Sequence, residues 1–313
     1  MFGIDLALTA GGLLTGLLVG LTGMGGAALL TPMLVLLFGV SPAAAVSADV
    51  VATAVMKPVG AWVHIRAKTV HWGMVGWLSV GSIPGVLVGT FIFAHVLGTD
   101  EASDTIRTWI GWVLIAAVAA MVAKTWVGRR ARSRQAGHLP EGTNMPVRPV
   151  PTALLGLVVG LLVGMTSVGS GSLVVTALLL LYPLLRPSIL VGTDLTQAVP
   201  MLVVGAIAHA GLGEFSVMIV ISLLLGQIPG VWLGARMSSR YDGTALRYLL
   251  MVILAATAVK LLGAPTLIAG MIGAVGLLVV GAIYVRERIH AQAEVTAAPA
   301  CGGPERSSSV EVP

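Results

Sequence analysis

The sequence predicts an all-α polytopic membrane protein. It should hold two inverted-topology repeats of five segments each, with broken first helices, plus a C-terminal transmembrane helix. Three observations predict this. Of 313 residues, 57% are hydrophobic and only 10% charged, with mean hydropathy +0.97; a soluble domain carries roughly 25% charge. A glycine-rich break, Thr22-Gly23-Met24-Gly25-Gly26, interrupts the apolar run from Ile4 to Phe38 and recurs as Thr166-Ser167-Val168-Gly169-Ser170-Gly171. Chemically distinctive residues also repeat in register between the two halves.

The first repeat covers 1–127, with segments at about 4–22, 27–39, 42–65, 73–97 and 106–127. Its opening run exceeds the roughly 20 residues of one span. Three glycines in four positions do not sustain a regular helix cheaply, so the run splits. At 1.5 Å per residue the 27–39 segment is roughly 20 Å long, short of the ~30 Å hydrocarbon core. The simplest geometry is a hairpin with the glycine break at its tip. A polar linker follows at 128–150. The second repeat, 151–262, has segments at about 151–167, 172–185, 188–210, 216–236 and 245–262. A last helix at about 265–285 fills 263–286, and the Ala-, Pro-, Gly- and Ser-rich tail 287–313 should be disordered. The opening Met1-Phe2-Gly3-Ile4-Asp5 lacks the basic region of a signal peptide, so the first apolar run is expected to be retained.

The duplication is carried by residues that chance rarely pairs. Gly16-Leu17-Leu18-Val19-Gly20-Leu21-Thr22 matches Gly160-Leu161-Leu162-Val163-Gly164-Met165-Thr166. One residue is then inserted. Beyond it Pro42 pairs with Pro187, Asp49 with Asp194, Gly60 with Gly205, His64 with His209, and Ile83-Pro84-Gly85-Val86 with Ile228-Pro229-Gly230-Val231. Gly81, Gly85 and Gly89, like Gly226, Gly230 and Gly234, form small-residue stripes that let helices approach closely. They are compatible with a homodimer without demanding one.

Loop charges orient the chain. Arg66 and Lys68 put the 66–72 loop inside; Asp100, Glu101 and Asp104 outnumber Arg107 and leave 98–105 outside; the arginines of 128–150 hold the linker inside. In the second half Arg186, Arg236, Arg240 and Arg247 mark inside loops, and 211–215 falls outside. Matching loops therefore lie on opposite sides, as five segments per repeat also require. The N-terminus is expected outside and the C-terminus in the cytoplasm. Trp62, Trp72 and Trp126 near inner boundaries and Trp109 near an outer one fit an aromatic belt.

Several function classes are disfavoured. The net charge of +5 sits in loops and tail and is no nucleic-acid footprint. The single cysteine, Cys301, permits neither a disulfide framework nor a cysteine metal site. No His-Glu-x-x-His and no ATP-binding loop is present. Gly169-Ser170-Gly171 superficially looks like a serine nucleophile, but its only candidate base, His209, is predicted at a far boundary. No enzyme activity and no cofactor are expected.

Paired broken membrane helices point to a transporter's binding site. At each tip, backbone N–H groups opening the second helix lack intrahelical partners and carry partial positive charge, which suits an anion. The candidate binding residues are Thr22, Gly23, Gly25, Gly26, Thr166, Ser167, Gly169, Ser170 and Gly171, with Ser172 adding a hydroxyl. The alternative is that both breaks only permit tight packing. Lys57 lies deep in an apolar segment, where a charge is costly and functional by default. It would neutralise an anionic substrate, or else snorkel to the inner interface beside Pro58. Asp49 and Asp194 cap a neighbouring broken helix or take up a coupling ion, a proton or sodium; Gln197, Thr53, Thr193 and Thr196 lie near them. Asp49 and Lys57, two turns apart, line one cavity without touching. His64 and His209 fall near segment ends, where interfacial hydrogen bonding or a proton relay is their role.

The break Gly23-Met24-Gly25-Gly26, the downstream Pro32, the two Asp-bearing helices and the duplicated halves resemble the TauE/SafE sulfite exporter-like permeases over about 4–262. The resemblance implies an inverted-repeat transporter of sulfite, a sulfonate or a related sulfur oxyanion. Ala27 stands where a third glycine is common, and Ser167 and Ser170 replace glycines in the second copy. The expected partners are thus a small sulfur-containing anion and the lipid bilayer. The alternatives are a transporter or channel for another small solute or metal ion, and a membrane assembly or sensor subunit that carries no flux.

Overall fold

Apolar runs punctuated by glycine and proline fold as a succession of helices. The computed structural model describes residues 5–22, 27–97, 99, 101–134, 145–182, 185, 187–213, 216–238, 244–278 and 281, and all regular structure among them is helical. The helices are α1 Leu6–Thr22, α2 Ala27–Leu36, α3 Pro42–Arg66, α4 Trp72–Leu97, α5 Ala102–Arg134, α6 Pro149–Thr166, α7 Ser172–Leu181, α8 Pro187–Leu212, α9 Val217–Ser238 and α10 Thr244–Leu261. Thr266–Leu278 adds α11. Helices α3, α4, α6, α8 and α9, with Ala102–Ala123 of α5, supply six segments long and apolar enough to cross a membrane.

Local chemistry explains the ends. Ser41 Oγ accepts the Ala44 N–H at 3.3 Å, and Pro42 opens α3 where a missing N–H costs nothing. Gly39 at φ +63° closes α2, with the Val40 N–H returning to the Leu34 carbonyl at 3.0 Å. The Tyr182 hydroxyl accepts the Arg148 N–H at 2.8 Å at the start of α6 and lies 2.6 Å from Thr152 Oγ1.

Some boundaries differ from expectation. Helix α2 stops at Leu36 and α7 at Leu181, so both are shorter than the sequence suggested. Helix α5 begins at Ala102 and continues through Arg134, so the basic head of the linker is helical. Polarity ends a membrane span but not a helix, and arginine is a good helix former. The tail 287–313 lies outside the described residues.

The packing is reciprocal. Helix α1 lies against α9, α4 against α6, and α3 against α8. A Cβ on Gly81, Gly85 or Gly89 would fall 1.9, 2.4 or 2.3 Å from the carbonyl oxygens of Ala153, Leu157 and Leu161. On Gly226, Gly230 or Gly234 it would fall 2.0, 2.4 or 2.2 Å from those of Thr9, Leu13 and Leu17. Only glycine fits either line. Both stripes are thus covered within the chain and carry no argument for a dimer. Outward faces stay apolar: Phe91, Ile207, Trp62 and Trp72 are exposed, as lipid-facing side chains are, and the Arg66 guanidinium stacks 4.6 Å from the Trp62 ring centre.

Candidate functional site

The packed pair α3 and α8 carries the buried charges. Asp49 is fully buried on α3. Thr53, one turn further along, donates to its Oδ1 at 2.9 Å, and Thr31 of α2 donates to its Oδ2 at 2.5 Å. The Ser167 hydroxyl, at the second break, comes up to the same carboxylate without completing a hydrogen bond of its own. Asp49 therefore ties α2, the helix that follows the first break, to α3, with the second break beside it. Thr31 escaped the sequence reading, although its counterpart Thr176 marks the same place in the other half.

Lys57 lies two turns beyond Asp49, and its side chain stays inside, with 2% of the residue exposed. The snorkelling alternative is thereby overturned. Its Nζ has no hydrogen-bond partner among the described residues. The side chain lies within electrostatic reach of two carboxylates, Asp194 of α8 and Asp49 of α3. Asp194 is itself buried. Asp49, Lys57 and Asp194 are thus all buried on the packed pair α3 and α8.

The second break is held by its own backbone. Ser167 adopts a left-handed conformation at φ +60° and donates its N–H to the Val163 carbonyl at 2.8 Å. Gly169 and Gly171 take φ of +131° and +121°, which side chains rarely adopt. The Thr166 hydroxyl is spent inside the break: it donates to the Leu162 carbonyl at 2.7 Å and accepts the Val168 N–H at 3.2 Å. Ser167 Oγ and Ser170 Oγ are buried and, among the described residues, without hydrogen-bond partners. Gly171 opens α7 with no side chain capping its first amides. Of the first break, Gly23, Gly25 and Gly26 lie outside the described residues; Thr22 ends α1, and its side chain, like that of Ser172, is likewise outside them.

The other polar candidates are occupied. Gln197 Oε1 accepts from Ser82 of α4 at 3.3 Å. Thr193 Oγ1 accepts the His71 N–H at 3.0 Å, and Thr196 donates back to the Gly192 carbonyl at 2.7 Å.

His209 corrects an expectation. It falls near the end of α8 yet is wholly buried, with Nε2 2.9 Å from the Gly164 carbonyl oxygen and Nδ1 3.1 Å from Ser47 Oγ. It belongs to the neighbourhood of the second break, not to a far interface. Burial arises because α3, α4 and α6 all close over it, the Phe93 ring of α4 standing 4.9 Å away. Both ring nitrogens are engaged, which leaves neither to activate Ser170. His64, half-buried, meets Thr69 Oγ1 at 2.9 Å at the loop end of α3. A separate cleft of about 540 Å³, lined by Arg107, Asp104 and Lys260, opens between α5 and the end of α10.

Comparison with known proteins agrees in kind. A family model described as "Sulfite exporter TauE/SafE" matches residues 8–261. The "Probable membrane transporter protein YjnA" of Bacillus subtilis (strain 168) is 34% identical over 253 residues, covering 80% of this chain and 97% of that protein. The "Probable membrane transporter protein YunE" of the same organism is 25% identical over 182 residues, covering 56% of this chain and 63% of that protein. No solved structure matches.

Proposed function

This chain belongs to the TauE/SafE sulfite exporter family and is a multi-pass membrane transporter, and from that premise we propose that it carries a small sulfur oxyanion or sulfonate, such as sulfite, by alternating access across the inner membrane. The observation that carries the reading is the buried, unbonded ammonium of Lys57. A charge this deep is expensive, and an unmade bond to it adds to the cost. A tetrahedral or pyramidal oxyanion supplies several acceptor oxygens at once. Ser167, Ser170 and the uncapped first amides of α7 are donors of the kind that would complete its shell.

The two halves act in this reading as inverted repeats of five segments. Support comes from the reciprocal packing of α1 on α9 and α4 on α6, built from equivalent glycines and equivalent carbonyls. Loop placement has support too. His71, in the 66–72 loop, has Nε2 3.0 Å from the Met145 carbonyl oxygen of the linker, which fits both being cytoplasmic. The start of α5 and the end of α10 line one cleft, which fits both being outside. Transport then consists of one bundle rocking against the other about Asp49 and Lys57, with the N-terminus outside and the C-terminus inside.

The test is flux into liposomes that contain only this protein, paired with thermal stabilisation by sulfite, sulfate, thiosulfate, methanesulfonate, acetate and chloride. A bound ligand stabilises in proportion to the logarithm of its concentration over Kd. Selective stabilisation and flux of a sulfur anion are expected. Stabilisation by a cation alone would overturn the charge assignment, and binding without flux would make the chain a sensor or assembly subunit.

A further inference from the structure

We propose that His71 is a pH-sensitive latch. Its neutral ring straps the end of the linker, 145–148, onto the 66–72 loop, and protonation of the ring releases the strap. The device stands apart from the anion site and does not depend on it.

The chain builds the contact locally. The loop after α3 is tight: Lys68 takes φ +54°, and the Thr69 N–H returns to the His64 carbonyl at 3.1 Å. His71 follows, immediately before α4, and its side chain caps that helix. Nδ1 accepts the Met74 N–H at 3.2 Å, the service that an oxygen usually performs at a helix start. On the other side of the ring, Nε2 lies 3.0 Å from the Met145 carbonyl oxygen, and the residue is only 6% exposed. A carbonyl only accepts, so Nε2 carries the hydrogen; Nδ1 faces an N–H, so it carries none. One neutral tautomer satisfies both contacts.

The loop that the ring holds is docked on α8. The His71 N–H donates to Thr193 Oγ1 at 3.0 Å, and a Cβ on Gly192 would fall 2.3 Å from the Thr69 carbonyl oxygen. That docking lies next to Asp194 in the chain. The strap also lies against the start of α4, where a Cβ on Gly73 would fall 3.2 Å from Val147 Cγ2. Its last residue, Arg148, is held separately, by the Tyr182 hydroxyl. His71 therefore joins three elements that the chain keeps far apart: the 66–72 loop, the end of the linker and α8.

An imidazolium cannot keep this arrangement. Protonated Nδ1 becomes a donor and confronts the Met74 N–H. The new charge also stands at the positive end of α4. Among the described residues, the charged or titratable groups of the adjoining elements are His64 and Arg66 of α3, Lys68 of the loop, Arg148 of the linker, Tyr182 after α7 and Asp194 of α8; α4 has none before His95. Arg66, Lys68 and Arg148 are cations. Asp194 is the one carboxylate, and it lies within electrostatic reach of Lys57. Turning the charged ring out to water breaks its bond to Met145 and frees the strap. Protonation thus favours the open form, and by linkage acid opens it.

The test is protease access to the strap. The purified full chain is treated with a broad-specificity protease at about pH 8 and about pH 5, either side of the range in which an imidazole gains its proton. Cuts within 145–148 are counted by fragment mass. His71→Ala, run alongside, cancels the protease's own pH dependence. At the higher pH wild type should be cut roughly tenfold more slowly than His71→Ala, as when one buried hydrogen bond holds the closed form. At the lower pH the two should be cut alike. A ratio that does not change with pH overturns the latch. Should His71→Ala fail to fold, His71→Gln decides: it keeps a donor for the Met145 carbonyl and takes up no proton, so it must lack the acid-induced rise of wild type. A rise that persists in it overturns the proposal. His64→Ala should respond to acid as wild type does, and loss of the response there would move the titrating group from His71 to His64.

Discussion

His209 Nε2 lies 2.9 Å from the carbonyl oxygen of Gly164, in the last turn of α6. A carbonyl only accepts, so Nε2 carries the hydrogen, and Nδ1 accepts from the Ser47 hydroxyl 3.1 Å away. One neutral imidazole thereby joins α3, α8 and the approach to the second break. His209→Ala leaves Ser47 and Gly164 without these partners in a site closed to water. We expect a loss of roughly 1–3 kcal/mol, read as a lower melting temperature in detergent. An unchanged melting temperature would mean that the clamp carries no stability.

Two glycines of α4 make a matched pair. A Cβ at Gly81 would fall 1.9 Å from the Ala153 carbonyl oxygen, whereas one at Gly76 would meet nothing within 4 Å. Gly81→Ala should force α4 from α6 and depress both yield and melting temperature. Gly76→Ala should be neutral or stabilising by up to about 1 kcal/mol, the helix-propensity gain. Equal behaviour of the two would contradict the close α4–α6 contact.

Lys57→Ala should leave a folded protein that no longer answers to anions. Losing a buried charged hydrogen bond is worth about 1.5–3 kcal/mol, hence roughly a tenfold to hundredfold weaker Kd. Titrated thermal shifts would measure it. Affinity equal to wild type would take Lys57 out of the site.

The linker 128–150 offers a check on orientation. Cytoplasmic placement predicts that protease added to intact cells leaves it uncut, while the same protease cuts it in inside-out vesicles. External cleavage would reverse the topology.

Thr31→Val should loosen α2 from α3. The change keeps shape but removes one of the two hydroxyls bound to Asp49, at a cost of roughly 1.5–3 kcal/mol. Limited proteolysis near the first break, faster in the variant than in wild type, would register it.

What the sequence by itself determined was local. Hydropathy set the helical segments, and the glycine breaks divided the first run of each half. The glycine spacing announced close packing, and Thr53 could be placed beside Asp49 because both sit on one helix a turn apart. Such features depend on residues near one another in the chain, so the chain reveals them. Only the tertiary structure decided the partners. It matched each glycine stripe to the first helix of the opposite half, took Thr166 out of the donor set, buried His209 and brought Asp194 of one half into the field of Lys57 of the other. Those choices depend on how whole helices dock, and docking is settled by the summed fit of many side chains and backbones. No single window of sequence contains it.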